Sequence, residues 1–124
     1  GASIERDEIE VESLVPESLR DCPHLTFRRH IFKSNDAWRE RAEAAAADGA
    51  VLQYVGRWTS STGIRVGVEA VPSDTDLGRL DGQDNLFEIT TNRYAASPLV
   101  IRGPGAGPEV TAAGVLADVL ATQT

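Results

Sequence analysis

Residues 98–120 read Pro-Leu-Val-Ile-Arg-Gly-Pro-Gly-Ala-Gly-Pro-Glu-Val-Thr-Ala-Ala-Gly-Val-Leu-Ala-Asp-Val-Leu, and the fold can be worked outward from this segment. Residues 99–101 form a short apolar run rich in β-branched side chains, which is typical of a strand. Three glycines follow at alternate positions, where they permit positive φ and close approach of backbone or ligand. Pro108 and Glu109 suit a first helical turn. The segment therefore predicts a strand, a glycine turn and a helix whose first backbone N–H groups point outward.

The predicted helix is apolar on every side. Between residues 110 and 121 only Thr111 and Asp118 are polar. One face carries small residues and the other bulkier ones: Val110, Ala113, Gly114, Ala117 and Ala121 against Val115, Leu116, Val119 and Leu120. A helix of this kind is normally buried all round. A chain of 124 residues has little material to cover two faces of its last helix, so either the helix is central or part of its partner is missing from this chain.

The first half of the chain predicts a strand, a short helical turn and a long helix. Apolar and polar residues alternate over residues 9–15, which predicts a half-exposed strand ended by Pro16. Residues 17–22 predict one helical turn, and residues 23–33 have only a weak apolar pattern. N-cap residues at 34–36 open an alanine-rich helix that runs to about residue 48, with Gly49 as a left-handed C-cap.

The second half predicts a hairpin, a loop and two further strands. Residues 50–58 and 64–70 alternate around the turn at residues 60–63 and form the clearest hairpin in the chain. Residues 71–84 are rich in Pro, Ser, Asp and Gly and predict a loop, and residues 86–91 predict a strand. The element order indicates an α+β fold, a mostly antiparallel sheet of about five strands with two main helices packed on it.

Several segments together resemble the C-terminal end of homoserine dehydrogenases, and most closely the bifunctional kind fused to an aspartokinase. The glycine turn followed by Val-Thr-Ala is the most specific part of the likeness. The matching segments are residues 8–16, 51–56, 84–85, 90–94, 98–107, 110–115 and 118. The resemblance implies that residues 1–124 are the C-terminal portion of the catalytic and dimerisation domain, with the dinucleotide-binding domain upstream and absent here.

The resemblance also implies an activity and a site. The family interconverts L-aspartate semialdehyde and L-homoserine with NAD(P) in threonine and methionine biosynthesis. Carried over, Gly107 would approach the cofactor through its backbone and Gly105 would shape the turn, while the last helix would pack on the dinucleotide-binding domain. The family's dimers imply a homo-oligomer. The family's catalytic lysine and dinucleotide fingerprint lie upstream of the matched region, so we expect the isolated chain to contain no catalytic residue, to bind no cofactor tightly and to be inactive.

Without the resemblance, the glycines alone favour a tight strand-to-helix turn that binds nothing. Gly103, Gly105 and Gly107 do not have the spacing of a dinucleotide fingerprint, and the chain after them is too short to complete a βαβ unit. Glu109 beside the turn would repel a phosphate and would tolerate an uncharged nicotinamide or ribose better.

Two other classes of protein fit the same elements. One is a free-standing small-molecule-binding regulatory module of the βαββαβ type, with its ligand at a helix start. The other is an interaction domain that binds no small molecule. A complete module should bury one face of its last helix and leave the other in solvent, so the environment of that helix distinguishes the alternatives.

Composition excludes several kinds of partner. The net charge of −7 argues against nucleic acid, because phosphate backbones need clustered Lys and Arg. No apolar run is long enough to span a membrane. Cys22, His24 and His30 lack a fourth partner and a paired spacing, so we predict no metal site. The lone cysteine and the lack of a signal sequence indicate the cytoplasm. Residues 1–3, which precede the matching region, suggest a processed end.

Overall fold

The computed structural model describes residues 4–122, so the processed end expected at residues 1–3 lies outside the described residues. Residues 4–122 contain five strands and four α-helices, with short 3₁₀ turns at Arg6–Glu8 and Ile31–Ser34. In chain order they are β1 (Glu10–Val11), α1 (Glu17–Arg20), α2 (His24–His30), α3 (Asn35–Ala47), β2 (Ala50–Thr59), β3 (Gly63–Pro72), β4 (Asp84–Ile89), β5 (Leu99–Pro104) and α4 (Pro108–Ala121). The predicted α+β class, with about five mostly antiparallel strands and two longer helices, is confirmed.

The strands form two sheets, and the chain divides into two compact units between Gly78 and Arg79. The first unit holds a three-stranded sheet in the order β1-β3-β2, and the second holds the two-stranded sheet β4-β5. β1 runs parallel to β3, whereas the other two pairings are antiparallel. Strand patterns predict each strand separately, but they do not say which strands share a sheet.

The first unit is built on the β2–β3 hairpin, whose register runs from Ala50 opposite Pro72 to Thr59 opposite Gly63. α3 lies against β2. Ala45 of this helix is 6% exposed, and Val55 is buried in β2. Ala45, near the end of α3, is the one residue of this helix that is buried.

The two ends of α3 differ in how well the sequence predicts them. Gly49 has φ +71°, as predicted for a left-handed C-cap. At the start, Ser34 makes no capping hydrogen bond with its side chain. The 3₁₀ turn Ile31–Ser34 runs directly into the helix, with helical φ and ψ at the junction, so the N-cap geometry predicted for residues 34–36 is not formed there.

The strand predicted over residues 9–15 is only two residues long. The Ser13 hydroxyl accepts a hydrogen bond from the Val15 backbone N–H at 3.1 Å, which is a local turn that competes with strand pairing. The chain therefore bends away from the sheet soon after Val11.

Glu12, which directly follows β1, connects that strand to α3, β2 and β3. Its carboxylate accepts the Val68 backbone N–H at 3.0 Å and the Arg41 guanidinium at 3.1 Å, and its carbonyl accepts the Tyr54 hydroxyl at 2.9 Å. A side chain at Gly67 would put its Cβ 2.7 Å from the same carboxylate, so that strand position requires glycine. The Val68 N–H, and after it the Arg41 guanidinium, hold the pKa of Glu12 below its ordinary value.

The second unit contains the β4–β5 ribbon and α4. The ribbon pairs Asp84 with Pro104 at one end and Ile89 with Leu99 at the other. Pro108 is the first residue of α4, as predicted. No residue of α4 is buried, and Val115 and Leu116 are 60% and 58% exposed. The helix is therefore not central, and the described residues cover neither of its faces. None of the helices within residues 4–122 is long and apolar enough to cross a bilayer.

Candidate functional site

The turn between β5 and α4 places its glycines in different backbone conformations. Gly107, which immediately precedes α4, has φ +132° and ψ 151°, a region essentially closed to residues with a side chain. Gly103 and Gly105 do not have positive φ. Gly103 lies within β5 opposite Asn85. Positive φ, which the sequence permits at all three glycines, is therefore found only at Gly107.

Gly105 lies directly against the Asn85 side chain. Its N–H donates a 2.8 Å hydrogen bond to the Gln83 carbonyl, which ties the turn to the residue before β4. A Cβ at Gly105 would overlap the Asn85 amide group. The Asn85 side chain would therefore have to move to admit any larger residue at position 105.

Gly107 leaves the start of α4 open. It has no side chain to cap the helix, and its carbonyl accepts the Thr111 N–H at 3.0 Å. The N–H groups of a first helical turn have no partner within the helix. A Cβ at Gly107 would lie 2.8 Å from Gln83 Oε1, so this side chain borders the turn on one side. The helix therefore starts from a residue without a side chain, with Gln83 beside it.

The charges beside the turn favour an uncharged ligand group. Arg102 of β5 donates from Nε to the Asp84 carboxylate at 2.8 Å, so an acid of the neighbouring strand already pairs with this guanidinium. Glu109 lies in the first turn of α4. A phosphate would meet this carboxylate, whereas a neutral ring or hydroxyl would not be repelled.

Gly107, predicted to approach the cofactor, and Gly105, predicted to shape the turn, therefore lie in one turn with distinct geometric roles. The sequence pattern assigns no role to Gln83 or Asn85, which border the turn. Asn85 lies in a segment that resembles the family, and this resemblance is the signal that points to it. The closeness of both residues to the turn depends on the β4–β5 register, which the sequence does not specify.

The first unit has an open concavity of about 400 Å³, lined by Ser13, Val15, Leu19, Arg20, Cys22, His24 and Phe27. Its polar groups are bonded locally: Cys22 Sγ donates to the Leu19 carbonyl at 3.2 Å, and Arg20 Nε donates to the Val15 carbonyl at 3.3 Å. Within residues 4–122 no group of three His, Cys, Asp or Glu side chains is arranged to hold a metal ion. The glycine turn is therefore the stronger candidate site.

Comparison with known proteins points to one family. The homoserine dehydrogenase family profile matches residues 1–120. The bifunctional aspartokinase/homoserine dehydrogenase 2 of Escherichia coli is 43% identical over 119 residues, covering 96% of this chain and 15% of that protein. A chloroplastic bifunctional aspartokinase/homoserine dehydrogenase 1 of Zea mays is 40% identical, with 97% and 13% covered.

Shorter relatives and a solved structure agree with this match. The homoserine dehydrogenase of Paracoccidioides brasiliensis is 36% identical, and the match covers 89% of this chain and 30% of that protein. A crystal structure of a Candida auris protein of unknown function superposes with a TM-score of 0.77 at 36% identity, covering 92% of this chain and 32% of that one. This chain thus spans a third or less of each of these proteins.

Proposed function

Because this chain belongs to the homoserine dehydrogenase family, we propose that residues 1–124 are the C-terminal portion of its catalytic and dimerisation domain. The parent enzyme, meaning the longer polypeptide that contains this sequence, is an NAD(P)-dependent oxidoreductase that interconverts L-aspartate semialdehyde and L-homoserine. In this proposal the dinucleotide-binding domain lies upstream in the parent. An upstream aspartokinase is consistent with the bifunctional relatives in Escherichia coli and Zea mays.

The backbone at Gly107 is the observation that carries this proposal. With φ +132° and no side chain, Gly107 presents a bare backbone surface at the start of α4. Glu109 adds a negative charge to the first turn of α4, and the Arg102 guanidinium is already paired with Asp84, so neither favours a phosphate. The nicotinamide ring, which carries no negative charge in either oxidation state, fits such a surface. In this proposal Gly107 contacts the cofactor through its backbone, and Gly105 sets the path of the turn.

The chain's own contribution to the reaction is positional. The cofactor supplies the hydride chemistry when it is bound, and the turn limits where the ring can lie. Lys33 is the only lysine in the sequence, and it falls in a segment that does not match the family's lysine motif. We therefore assign the catalytic lysine and the substrate-binding acids to the upstream part of the parent.

The exposure of α4 supports the proposal that another domain of the parent covers this helix. Its bulky residues Val115, Leu116 and Leu120 are all more than half exposed, although solvent-exposed helices normally have one polar face. We assign this surface to contact with the dinucleotide-binding domain of the same polypeptide. Assembly of the parent into a homo-oligomer and a cytoplasmic location complete the proposal.

The parent enzyme tests the assignment directly. Purified parent is expected to reduce NAD⁺ or NADP⁺ in the presence of L-homoserine, followed as absorbance of the reduced nicotinamide, and L-threonine in place of homoserine is expected to give no signal. If the folded parent failed to oxidise homoserine with NAD⁺ and also with NADP⁺, the proposed activity would be wrong. Saturable binding of another small molecule by such an inactive protein would favour the regulatory-module alternative.

A further inference from the structure

The side chain of Asn85 lies directly on the backbone of the glycine turn. A Cβ placed on Gly105 would overlap Asn85 Nδ2 and Cγ and would lie 2.8 Å from Oδ1, so the whole amide group covers this glycine. Asn85 is opposite Gly103 in the β4–β5 ladder. Strand pairing therefore places the residue that carries this amide beside the turn.

A second contact, from the residue immediately before β4, also holds the turn. The Gln83 carbonyl accepts the Gly105 N–H at 2.8 Å. Gly105 is thus held by a backbone hydrogen bond and covered by a side chain, while Gly107, two residues later, has a φ of +132°. Glycine adopts such an angle freely and has many other conformations open to it. The contacts at Gly105 therefore restrict the path that the turn takes to Gly107.

We propose that Asn85 is a positioning residue for the nicotinamide cofactor: by seating its side-chain amide on Gly105, it holds the turn in the form that presents the Gly107 backbone to the ring. This inference rests on the proposed function of the turn. Asn85 acts through Gly105 and does not itself touch the reacting atoms. The size of the Asn85 side chain is the property that matters for this role, because the amide fills the space next to Gly105 that a Cβ would need.

Exchanging the sizes of the two residues in the parent enzyme tests the proposal. Gly105→Ala adds a methyl group that collides with Asn85, although the φ of Gly105 permits alanine. The KM for the cofactor is expected to rise about 10- to 100-fold, because displacements near 1 Å at a site have effects of this size. Asn85→Ala alone should raise it about threefold to tenfold. The double variant Asn85→Ala/Gly105→Ala should return to within about threefold of Asn85→Ala, since contacting residues are strongly non-additive.

The pair Gln83→Ala and Gly107→Ala is the matched control. A Cβ at Gly107 would also meet a neighbouring amide, at 2.8 Å from Gln83 Oε1. Removing that amide should not rescue Gly107→Ala, because φ +132° excludes a side chain whatever space is available. Rescue at position 105 without rescue at position 107 is the pattern that a positioning contact predicts.

The outcomes separate this inference from the proposed function. If Gly107→Ala raises the cofactor KM but the size exchange restores nothing, the inference about Asn85 is wrong and the cofactor turn stands. If the size exchange restores only the melting temperature while the cofactor KM never changes, Asn85 is structural and the inference is again wrong. If Gly107→Ala leaves the KM unchanged in a folded enzyme, the turn does not contact the cofactor and both statements fall.

Discussion

Gly107→Val in the parent enzyme is expected to lower kcat/KM for the nicotinamide cofactor by roughly a hundredfold or more. Two effects act together. Valine is excluded from φ +132° and ψ 151°, so the backbone of the turn must change its path. The branched side chain would also collide with Gln83, whose Oε1 would lie 2.8 Å from a Cβ at this position. Steady-state kinetics with the cofactor varied at saturating homoserine measure the loss, with the melting temperature recorded for each variant.

Gly63→Val is the control for backbone strain. Gly63 has φ +74° in the β2–β3 turn of the first unit, and a Cβ there would meet nothing within 4 Å. This variant should lower the melting temperature through strain of about 1–3 kcal/mol while leaving the cofactor KM unchanged. Equal kinetic losses at positions 63 and 107 would show that the effect is general destabilisation, and would contradict a cofactor contact at Gly107.

The isolated chain of residues 1–124 is expected to show no homoserine-dependent reduction of NAD(P)⁺, at any concentration where the parent enzyme does. The reason is chemical: the only lysine of the chain lies outside the family's lysine motif, and its glycines do not have the spacing of a dinucleotide fingerprint. The assay needs circular dichroism of the same sample, to show that the inactive chain is folded. Turnover by the pure isolated chain would contradict the division of the catalytic groups proposed above.

The same isolated chain should also self-associate, because α4 exposes apolar side chains on both faces. Leu116 is 58% exposed in the middle of the helix, and Leu120 is 56% exposed one turn later. Sedimentation equilibrium should give a mass above 13.3 kDa, and Leu116→Lys should shift it toward the monomer. Leu25→Lys on α2, where the leucine is 67% exposed, is the matched control and should not. A monomer at high concentration would exclude self-association through α4.

Local signals made the hairpin and the glycine turn predictable from the sequence. Pro108 and Gly107 specify the start of α4 within two residues, and Gly49 specifies the end of α3 in the same way. β2 and β3 form ten residue pairs across a short turn, which leaves few other registers available. In each case the deciding residues are neighbours in the chain.

The missed features all depend on partners that are distant in sequence. The pattern at residues 9–15 predicts a strand but contains no information on its parallel pairing with β3. The contact between the Asn85 side chain and Gly105 joins residues twenty positions apart, and it depends on the β4–β5 register. Only the family resemblance connects such segments, because it relates the sequence to a family whose fold is known.

The carboxylate of Glu12 has a consequence for the order in which the first unit folds. Its bond to the Val68 N–H spans 56 residues, whereas β2 and β3 are joined by a short turn and α3 immediately precedes β2. Closing a long loop costs more entropy than closing a short one, so β1 should dock after the hairpin and α3 have formed. An interaction absent from the transition state governs how fast a protein unfolds. Glu12→Gln should therefore speed unfolding and leave refolding almost unchanged in stopped-flow denaturant jumps, with exposed Glu10→Gln as its control. Slower refolding would instead place β1 in the nucleus.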